Sequence, residues 1–361
     1  MPREIQLSRG KSPFVGRLVK GCRECMKGAK LVLFITGNCS KACFYCPISE
    51  ERRNYDTIYA NEVEVSNLDQ ALEEARLIDA TGMGITGGEP LLEVERTSKF
   101  IKAFKRKFGS DFHIHLYTGL EPIPLETIEK LLDAGLDEIR LHRFEVGADY
   151  PKLRKLTKGR VRLGIEIPAI PGMLKQLKRL LREFEEIGID FVNINELEFT
   201  PLNAEELKQH GLYLDSDTIA SVRGSENEAL KLVEWAATET ELNVHFCPLS
   251  LKDGTQLRNR FRRRAKNVAK PFEHITKEGL LRKGIITPPV GVALTKVRNT
   301  LRSEYRIPDN KLWINEKQKR IETSTTIIKK LAKSLKARAF QVGIVEEYPI
   351  ASRFQVSYTP L

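Results

Sequence analysis

The 361-residue chain has no long apolar stretch, no internal repeat and no low-complexity segment. No uninterrupted hydrophobic run approaches the roughly 18 residues that a membrane span requires, so the sequence predicts no transmembrane helix. Residues 1–5 lack the apolar core of a secretory signal, which favours a cytoplasmic location. Cysteine is scarce, with six residues, and in a reducing compartment these are expected to bind metal rather than form disulfides.

Apolar periodicity alternates between strand and helix patterns over the first two thirds of the chain. The predicted strands are residues 30–36, 83–86, 112–117, 138–141, 160–167 and 191–196. The predicted helices are residues 67–79 with Ser66 as N-cap, 97–108, 125–134 and 174–187. Repeated strand–helix units predict an α/β fold in which parallel strands are covered by helices.

The alternating pattern ends near residue 250, where we place a domain boundary. Beyond it, a helix over 324–335 and strands over 339–345 and 354–358 predict a small α+β appendage. The expected organisation is an N-terminal extension, a main α/β domain and a basic C-terminal substrate-binding region, at residues 1–29, 30–250 and 251–361.

Three thiols are closely spaced at Cys39, Cys43 and Cys46. Thiolates are soft ligands that select iron–sulfur clusters or zinc. Three of them can hold three corners of an iron–sulfur cube and leave the fourth iron open to a small molecule. A partial zinc site is the alternative interpretation of this spacing.

A second motif follows about forty residues later, where the predicted strand 83–86 runs into Gly87, Gly88, Glu89 and Pro90. Glycines let the backbone approach a ligand closely. A carboxylate at the end of a strand can pair with an ammonium group of that ligand.

Together, the Cys-x3-Cys-x2-Cys loop and the Gly-Gly-Glu-Pro turn resemble the radical S-adenosylmethionine (radical SAM) superfamily. The resemblance implies a partial (βα)6 TIM-like barrel and a [4Fe–4S] cluster on the three thiols, with SAM chelating the open iron. It also implies that Tyr45 lies beside the cofactor and that Gly87, Gly88 and Glu89 receive the methionyl ammonium of SAM.

Ligands of such barrels bind at the carboxyl ends of the strands, so polar residues there are candidates. Thr118 could contact the methionine or ribose of SAM, or simply cap its strand. His142 is a candidate ribose or substrate contact, or a core histidine. Glu166 could bind cofactor hydroxyls or pair with Arg140, and Asn195 could bind adenosine or substrate.

The segment 164–172, Gly-Ile-Glu-Ile-Pro-Ala-Ile-Pro-Gly, resembles the corresponding part of glycyl-radical-enzyme activases of the same superfamily. Those proteins often carry arginine where this chain has Glu166. The reversed charge means that the activase substrate does not follow from this local match.

The remaining cysteines are Cys22, Cys25 and Cys247. The first two form a Cys-x2-Cys knuckle, and extended geometry would place His245 and Cys247 on one face of a strand. These four residues could form a zinc site, or the three thiols could hold an auxiliary iron–sulfur cluster. Three unrelated thiols are the remaining interpretation.

The net charge of +11 is concentrated between Lys252 and Lys283, where eleven basic residues face three acidic ones. This stretch contains the run Arg258, Arg260, Arg262, Arg263 and Arg264, interrupted by an aromatic residue. Guanidinium groups around an aromatic ring suit phosphate contacts and base stacking, which predicts RNA binding. A solvated helix face is the alternative.

These observations predict a radical SAM enzyme that cleaves SAM reductively and uses the 5′-deoxyadenosyl radical to abstract hydrogen, with RNA, and tRNA first, as the substrate. It would need a reductant such as ferredoxin or flavodoxin. Two alternatives remain. The enzyme could modify or activate a protein or a small anionic metabolite, or the chain could be a non-catalytic metal-cluster protein that binds nucleic acid. No catalytic acid, base or radical-bearing residue can be named from the sequence.

Overall fold

The computed structural model describes residues 2–361, which form two compact units divided between Leu257 and Arg258. The division lies later than the boundary expected near residue 250. Leu251 explains the difference, because it is fully buried in an apolar cluster with Cys22 and Met26 and so keeps its segment in unit 1.

Unit 1 is built from strands and helices that alternate along most of its length. Its strands are β1 (Ile5–Leu7), β2 (Pro13–Val15), β3 (Lys30–Phe34), β4 (Ile58–Ala60), β5 (Val63–Val65), β6 (Gly82–Thr86), β7 (His113–Thr118), β8 (Glu138–Leu141), β9 (Arg162–Ala169), β10 (Phe191–Glu196) and β11 (Asn243–Cys247). Its helices are α1 (Lys20–Met26), α2 (Leu68–Leu77), α3 (Val94–Phe108), α4 (Leu125–Asp133), α5 (Tyr150–Thr157), α6 (Leu174–Ile187), α7 (Ala204–Gln209), α8 (Ser225–Glu239) and α9 (Leu249–Leu251). A 3-10 turn spans Pro90–Glu93, and a π-helical turn spans Lys252–Leu257.

The strands of unit 1 form one sheet in the order β1-β2-β11-β10-β9-β8-β7-β6-β3-β4-β5. The neighbours from β3 through β6, β7, β8, β9 and β10 to β11 are parallel, whereas β1, β2, β4 and β5 pair antiparallel at the two edges. The predicted α/β class with parallel strands is therefore correct. The predicted number of parallel strands was too low, because β11 follows β10 only after a long segment that contains α7 and α8.

The core of unit 1 lies between the parallel strands and the helices that cover them. The strand residues Leu33, Ile85 and Ile165 are fully buried, as are Phe104 of α3 and Phe184 of α6. Strands buried on both faces are expected in a parallel sheet.

Helix α2 begins one residue later than predicted, because Asn67 rather than Ser66 is its N-cap. The Asn67 side chain accepts a hydrogen bond from Gln70 N at 3.0 Å. Ser66 instead donates its backbone N–H and its hydroxyl to the Gln70 side-chain oxygen. The two residues thus share the capping of one helix terminus.

Unit 2 is an α+β arrangement with one antiparallel sheet. Its strands are β12 (His274–Ile275), β13 (Leu281–Thr287), β14 (Trp313–Asn315), β15 (Arg320–Thr323), β16 (Gln341–Glu347) and β17 (Gln355–Pro360). Its helices are α10 (Arg258–Val268), α11 (Leu294–Ser303) and α12 (Thr325–Lys336), with a 3-10 turn at Asp309–Lys311. The sheet order is β14-β15-β13-β16-β17, and β12 pairs with β13.

Within residues 2–361, none of the helices combines the length and the apolar character that crossing a membrane demands.

Candidate active site

A cavity of about 760 Å³ lies inside unit 1, along the parallel strands and at their carboxyl ends. All of the sequence-predicted metal and cofactor residues line it. They are Cys22, Cys25, Cys39, Cys43, Tyr45, Cys46, Gly87, Gly88, Glu89, Thr118, His142, Glu166, Asn195, His245 and Cys247. All six cysteines of the chain therefore face one space, and none of them is in a disulfide.

The segment that carries Cys39, Cys43 and Cys46, here called the cysteine loop (residues 37–55), is closed at its base by backbone hydrogen bonds. Gly37 N donates to Tyr55 O at 2.8 Å, and Asn54 N donates to Gly37 O at 3.0 Å. A Cβ atom at Gly37 would lie 1.7 Å from the Arg52 carbonyl oxygen. Only glycine therefore allows the loop to close this tightly.

Two aromatic residues hold the middle of the cysteine loop in place. Phe44 stacks on His210 with ring centroids 4.0 Å apart, and Tyr45 packs edge-on against Phe144. Both Phe44 and Tyr45 pack on an apolar cluster that includes Leu197. The loop is thereby anchored while its thiols remain partly or fully exposed.

The Gly-Gly-Glu-Pro turn is fastened directly to the start of the cysteine loop. Gly88 N donates to Thr36 O at 2.8 Å, and Glu89 N donates to Asn38 O at 2.7 Å. A Cβ atom at Gly88 would lie 2.2 Å from the Asn38 oxygen, and Gly87 has a φ of 147°. The glycines thus serve a close approach between two backbone segments, and the two motifs form one rigid corner.

The Glu89 carboxylate is buried and already accepts three hydrogen bonds from the protein. The donors are Leu91 N at 3.0 Å, the Thr118 hydroxyl at 2.7 Å and Gly119 N at 2.8 Å. Burial raises the pKa of Glu89 above its ordinary value, despite these donors. Thr118 also accepts from Leu120 N, so both side chains are hydrogen-bonded to backbone at the strand ends.

A hydrogen-bonded chain joins the cysteine loop to two strands. Tyr45 Oη lies 2.9 Å from His142 Nε2, and His142 Nδ1 lies 2.7 Å from the backbone oxygen of Glu166. Burial lowers the pKa of His142 and raises that of Tyr45, which favours the neutral form of both groups. One ring nitrogen of His142 therefore contacts Tyr45, and the other fixes the ring to the backbone of Glu166.

The ion pair expected between Glu166 and Arg140 is present inside the cavity. Arg140 is 2% exposed and places Nη1 2.9 Å from Glu166 Oε2 and Nη2 2.6 Å from Glu138 Oε1. Asn193 and Asn195 also donate to Glu166, at 2.8 and 2.9 Å. Burial would raise the pKa of Glu166, but the Arg140 charge and these donors hold it below its ordinary value.

Lys30 and Asn193 are among the cavity residues that the sequence did not predict. Lys30 is 9% exposed at the start of β3, and its Nζ lies 3.4 Å from His115 Nε2. A charged residue at the head of the otherwise apolar strand Lys-Leu-Val-Leu-Phe was the available signal. Such a residue is costly to bury and so points to a polar interior.

The thiols of Cys22, Cys25 and Cys247, here called the inner thiol group, line the same cavity as the cysteine loop. Cys22 and Cys247 belong to one packed cluster with Met26 and Leu251. Burial raises the pKa of the Cys22 thiol, and it raises that of Cys247 to about 12.

His245, the candidate fourth ligand of a zinc site, is hydrogen-bonded through both of its ring nitrogens. Its Nε2 lies 2.9 Å from Ser12 Oγ, and its Nδ1 lies 3.3 Å from Asn193 Oδ1. Burial lowers the pKa of His245 to about 4, so the ring is neutral. Both nitrogens have protein partners, and a metal would have to displace one of them.

The donor set decides which inorganic group these residues fit. Among residues 2–361, no three His, Cys, Asp or Glu side chains converge as closely as a single metal ion requires. A [4Fe–4S] cluster binds each thiolate at a different iron, so its ligands stand further apart than those of one ion. The soft, cavity-facing thiols of the cysteine loop are of the kind that an iron–sulfur cluster takes as ligands.

The predicted RNA-binding arginines lie on α10 of unit 2, and one of them does not face solvent. Arg264 is 5% exposed and donates from Nε to the Pro349 oxygen at 2.6 Å. Its placement follows from the helical period, because Phe261, Arg264 and Ala265 share the buried face. Arg258 and Arg262 are exposed, and Arg260 and Arg263 are partly buried.

Comparison with known proteins agrees with the geometry of unit 1. A family model described as "Radical SAM superfamily" matches residues 33–162. A Methanocaldococcus jannaschii protein, provisionally named as a glycyl-radical enzyme activating enzyme, is 40% identical over 96% of this chain and 93% of its own length. The chain belongs to the radical SAM superfamily. It is an enzyme, and its cofactors are a [4Fe–4S] cluster and SAM.

Solved radical SAM structures are more distant. Streptococcus suis SuiB, bound to SAM, is 14% identical over 61% of this chain and 50% of its own chain, with a TM-score of 0.43. The Kitasatospora setae methyltransferase TsrM, with cobalamin and a [4Fe–4S] cluster, is 13% identical over 69% of this chain and 55% of its own, with a TM-score of 0.38. This radical SAM chain thus matches about half the length of each. Residues 279–361 match a domain of unknown function, DUF8061.

Proposed function

We propose that Cys39, Cys43 and Cys46 ligate the [4Fe–4S] cluster and that this enzyme abstracts a hydrogen atom from its substrate inside the cavity of unit 1. One observation carries the proposal. The Gly-Gly-Glu-Pro turn donates one backbone hydrogen bond to Asn38 of the cysteine loop and one to Thr36 just before it, and both motifs line the same cavity. A reduced cluster supplies the electron that splits SAM into methionine and a 5′-deoxyadenosyl radical, which side chains alone cannot generate.

The protein contributes binding, orientation and exclusion of water. We assign the backbone at Gly87 and Gly88 to the methionyl ammonium, with Glu89 and Thr118 holding that turn in shape. Tyr45, positioned by His142, would flank the cofactor. Glu166 and Asn195, which are hydrogen-bonded to one another at 2.9 Å, would meet the ribose, the adenine or the substrate.

We further propose that the seven parallel strands curve into a partial barrel and that unit 2 is its appendage. Residues from β3, β6, β7, β8, β9, β10 and β11 all line the one cavity. A flat sheet could not direct side chains of all these strands into a shared space. The partial barrel also explains why helix α1 reaches interior residues: a Cβ atom on Gly21 would lie 2.6 Å from Arg140 Nη2.

For the substrate, we favour a glycine residue of a partner enzyme over RNA. The name of the 40% identical relative, which matches almost the whole chain, supports an activating role. The RNA hypothesis loses support, because Arg264 is buried and only Arg258 and Arg262 of the basic run are exposed. In the favoured reaction, one hydrogen atom would move from the glycine Cα to the 5′ carbon of the deoxyadenosyl radical, which gives 5′-deoxyadenosine and a glycyl radical.

The test uses anaerobically reconstituted holoprotein with SAM and a strong reductant such as dithionite, or reduced ferredoxin or flavodoxin as the natural type of donor. We expect 5′-deoxyadenosine to form, as measured by mass spectrometry. A triple Cys39→Ala, Cys43→Ala, Cys46→Ala variant should produce none above background. Formation of 5′-deoxyadenosine by that variant, or its absence from a wild-type protein with an intact cluster, would refute the proposal.

The substrate is tested in parallel with a glycyl-radical enzyme whose glycines carry deuterium at Cα, and with total tRNA. Deuterium in 5′-deoxyadenosine identifies the glycine route. Transfer from deuterated tRNA, together with tRNA binding that weakens in an Arg258→Ala, Arg262→Ala variant, would overturn it in favour of RNA. A reducing cytoplasm is the compartment that we propose for either reaction, because the cluster is redox-active.

A further inference from the structure

Three of the six cysteines lie outside the cysteine loop, and all three nevertheless line the catalytic cavity. Cys22 and Cys25 are three residues apart on α1, a spacing that places both side chains on one helical face. Cys247 ends β11, more than two hundred residues later, and packs in the same cluster as Cys22. Unrelated core cysteines would not be expected to gather at one shared cavity.

Hydrogen-bond donors contact two sulfurs of the inner thiol group, those of Cys22 and Cys247. Arg140 Nη2 lies 3.5 Å from Cys22 Sγ, and Asn193 Nδ2 lies 3.3 Å from it. Gln256 Nε2 lies 3.7 Å from Cys247 Sγ. Thiols in an apolar core have no use for such donors, whereas thiolates bound to a metal are stabilised and tuned by N–H groups of this kind.

Positive charge in the cavity also lacks a full counterpart. Lys30 is buried, lines the cavity and forms no salt bridge within the described residues; its Nζ lies 3.4 Å from His115 Nε2 and 5.8 Å from the centroid of the Tyr117 ring. A buried ammonium group is costly unless an anion offsets it. A thiolate-ligated cluster beside Lys30 and Arg140 would supply that negative charge.

We infer that Cys22, Cys25 and Cys247 ligate a second iron–sulfur cluster in the cavity, separate from the one that the cysteine loop holds. A structural zinc site usually takes four protein ligands. Here the group provides three thiols, and the nearby His245 has both ring nitrogens hydrogen-bonded to Ser12 and Asn193. A cluster on three thiols would keep one iron open to the cavity, where an oxygen- or nitrogen-bearing substrate group could bind.

The test counts metal and sulfide in full-length protein reconstituted without oxygen, and records its electron paramagnetic resonance spectrum. Two clusters predict roughly eight iron atoms per chain. A Cys22→Ala, Cys25→Ala variant should lose about half of the iron and one of two spectral components. The triple variant of the cysteine loop should lose the other half, so failure of either cluster assignment is visible separately.

His245→Gln is the matched control, since it changes a neighbour of the inner thiol group without removing a thiol. Its iron content should equal that of the wild type. About four iron atoms in the wild type with no loss in the double variant, or about one zinc per chain that the double variant loses, would overturn the inference. If the double variant does not fold, as judged by circular dichroism, Cys247→Ala must show the same loss.

Discussion

Both units bury charged side chains, but they do so in different ways. In unit 1, Arg140 and Glu166 meet on the wall of a cavity of about 760 Å³, next to thiols and amides. In unit 2, Lys283 is 1% exposed and lies 3.2, 2.9 and 2.7 Å from carboxylate oxygens of Glu273, Glu322 and Glu347. The first cluster faces a binding space, whereas the second is closed on itself.

The partners of the two clusters explain what each can do. The cluster of unit 2 also contains Arg320, Lys270 and Arg353. Within it, Glu322 contacts three cations: Lys270, Lys283 and Arg320. Every charge there has a protein counterpart, so we interpret the cluster as scaffolding for the antiparallel sheet. The cavity of unit 1 retains a cation, Lys30, that forms no salt bridge within the described residues.

The largest effect should come from Glu322→Gln in unit 2. The change leaves Lys270, Lys283 and Arg320 with one buried negative charge fewer, and breaking such a network typically costs about 3–5 kcal/mol. Urea unfolding is followed by the fluorescence of Trp313 in a Trp235→Phe background, which leaves one tryptophan in unit 2. Glu304→Gln is the control, because its pair with Arg338 is exposed to solvent and contributes little to stability.

The next effect is the pH dependence of unit 2. Burial would raise the pKa of Glu322, but Lys283 and the other donors lower it from 4.5 to about 2. A depressed pKa means that the ionised group stabilises the folded state above pH 4.5 and that this contribution, about 3 kcal/mol, is lost between pH 4.5 and 2. The difference in unfolding free energy between wild type and Glu322→Gln should therefore shrink over that range. A constant difference would contradict the assignment.

Glu166→Gln in unit 1 should have the smallest effect on stability, about 1–2 kcal/mol. Arg140 keeps its contact with Glu138, and the amide oxygen can still accept from Asn193 or Asn195. The measurement uses Trp235 fluorescence in a Trp313→Phe background, with the exposed Glu239→Gln as control. If Glu166→Gln lowers the free energy of unfolding as much as Glu322→Gln does, the two charge clusters do not differ in the way described here.

Local structure was largely accessible from sequence. Strand β8 and helices such as α6 occur where periodicity predicts them, because alternation and helical spacing report on burial within one element. The resemblance of the cysteine loop and the Gly-Gly-Glu-Pro turn to the radical SAM superfamily is confirmed by the comparisons. The N-cap of α2 was wrong by one residue, because Ser66 and Asn67 are both competent caps.

Partners distant in sequence were not accessible in the same way. The helical period places Arg264 on one face of α10 with Phe261, but its acceptor, the Pro349 oxygen 85 residues away, is set by the packing of unit 2. Glu89 is predicted to meet a ligand, but the sequence did not indicate that Thr118 and Gly119 also donate to its carboxylate. Lys30 was not singled out at all, because a lone lysine at a strand end is ordinary on a protein surface.

The order and spacing of residues by themselves determined the α/β class, the two cofactor motifs and the presence of three further thiols, because these depend on local periodicity and on side-chain chemistry. Only the tertiary structure decided that β11 joins the parallel sheet and brings Cys247 into the cavity that Cys22 and Cys25 line. The reason is physical: strand pairing and burial act between segments far apart in the chain, and no local pattern encodes which segments will meet.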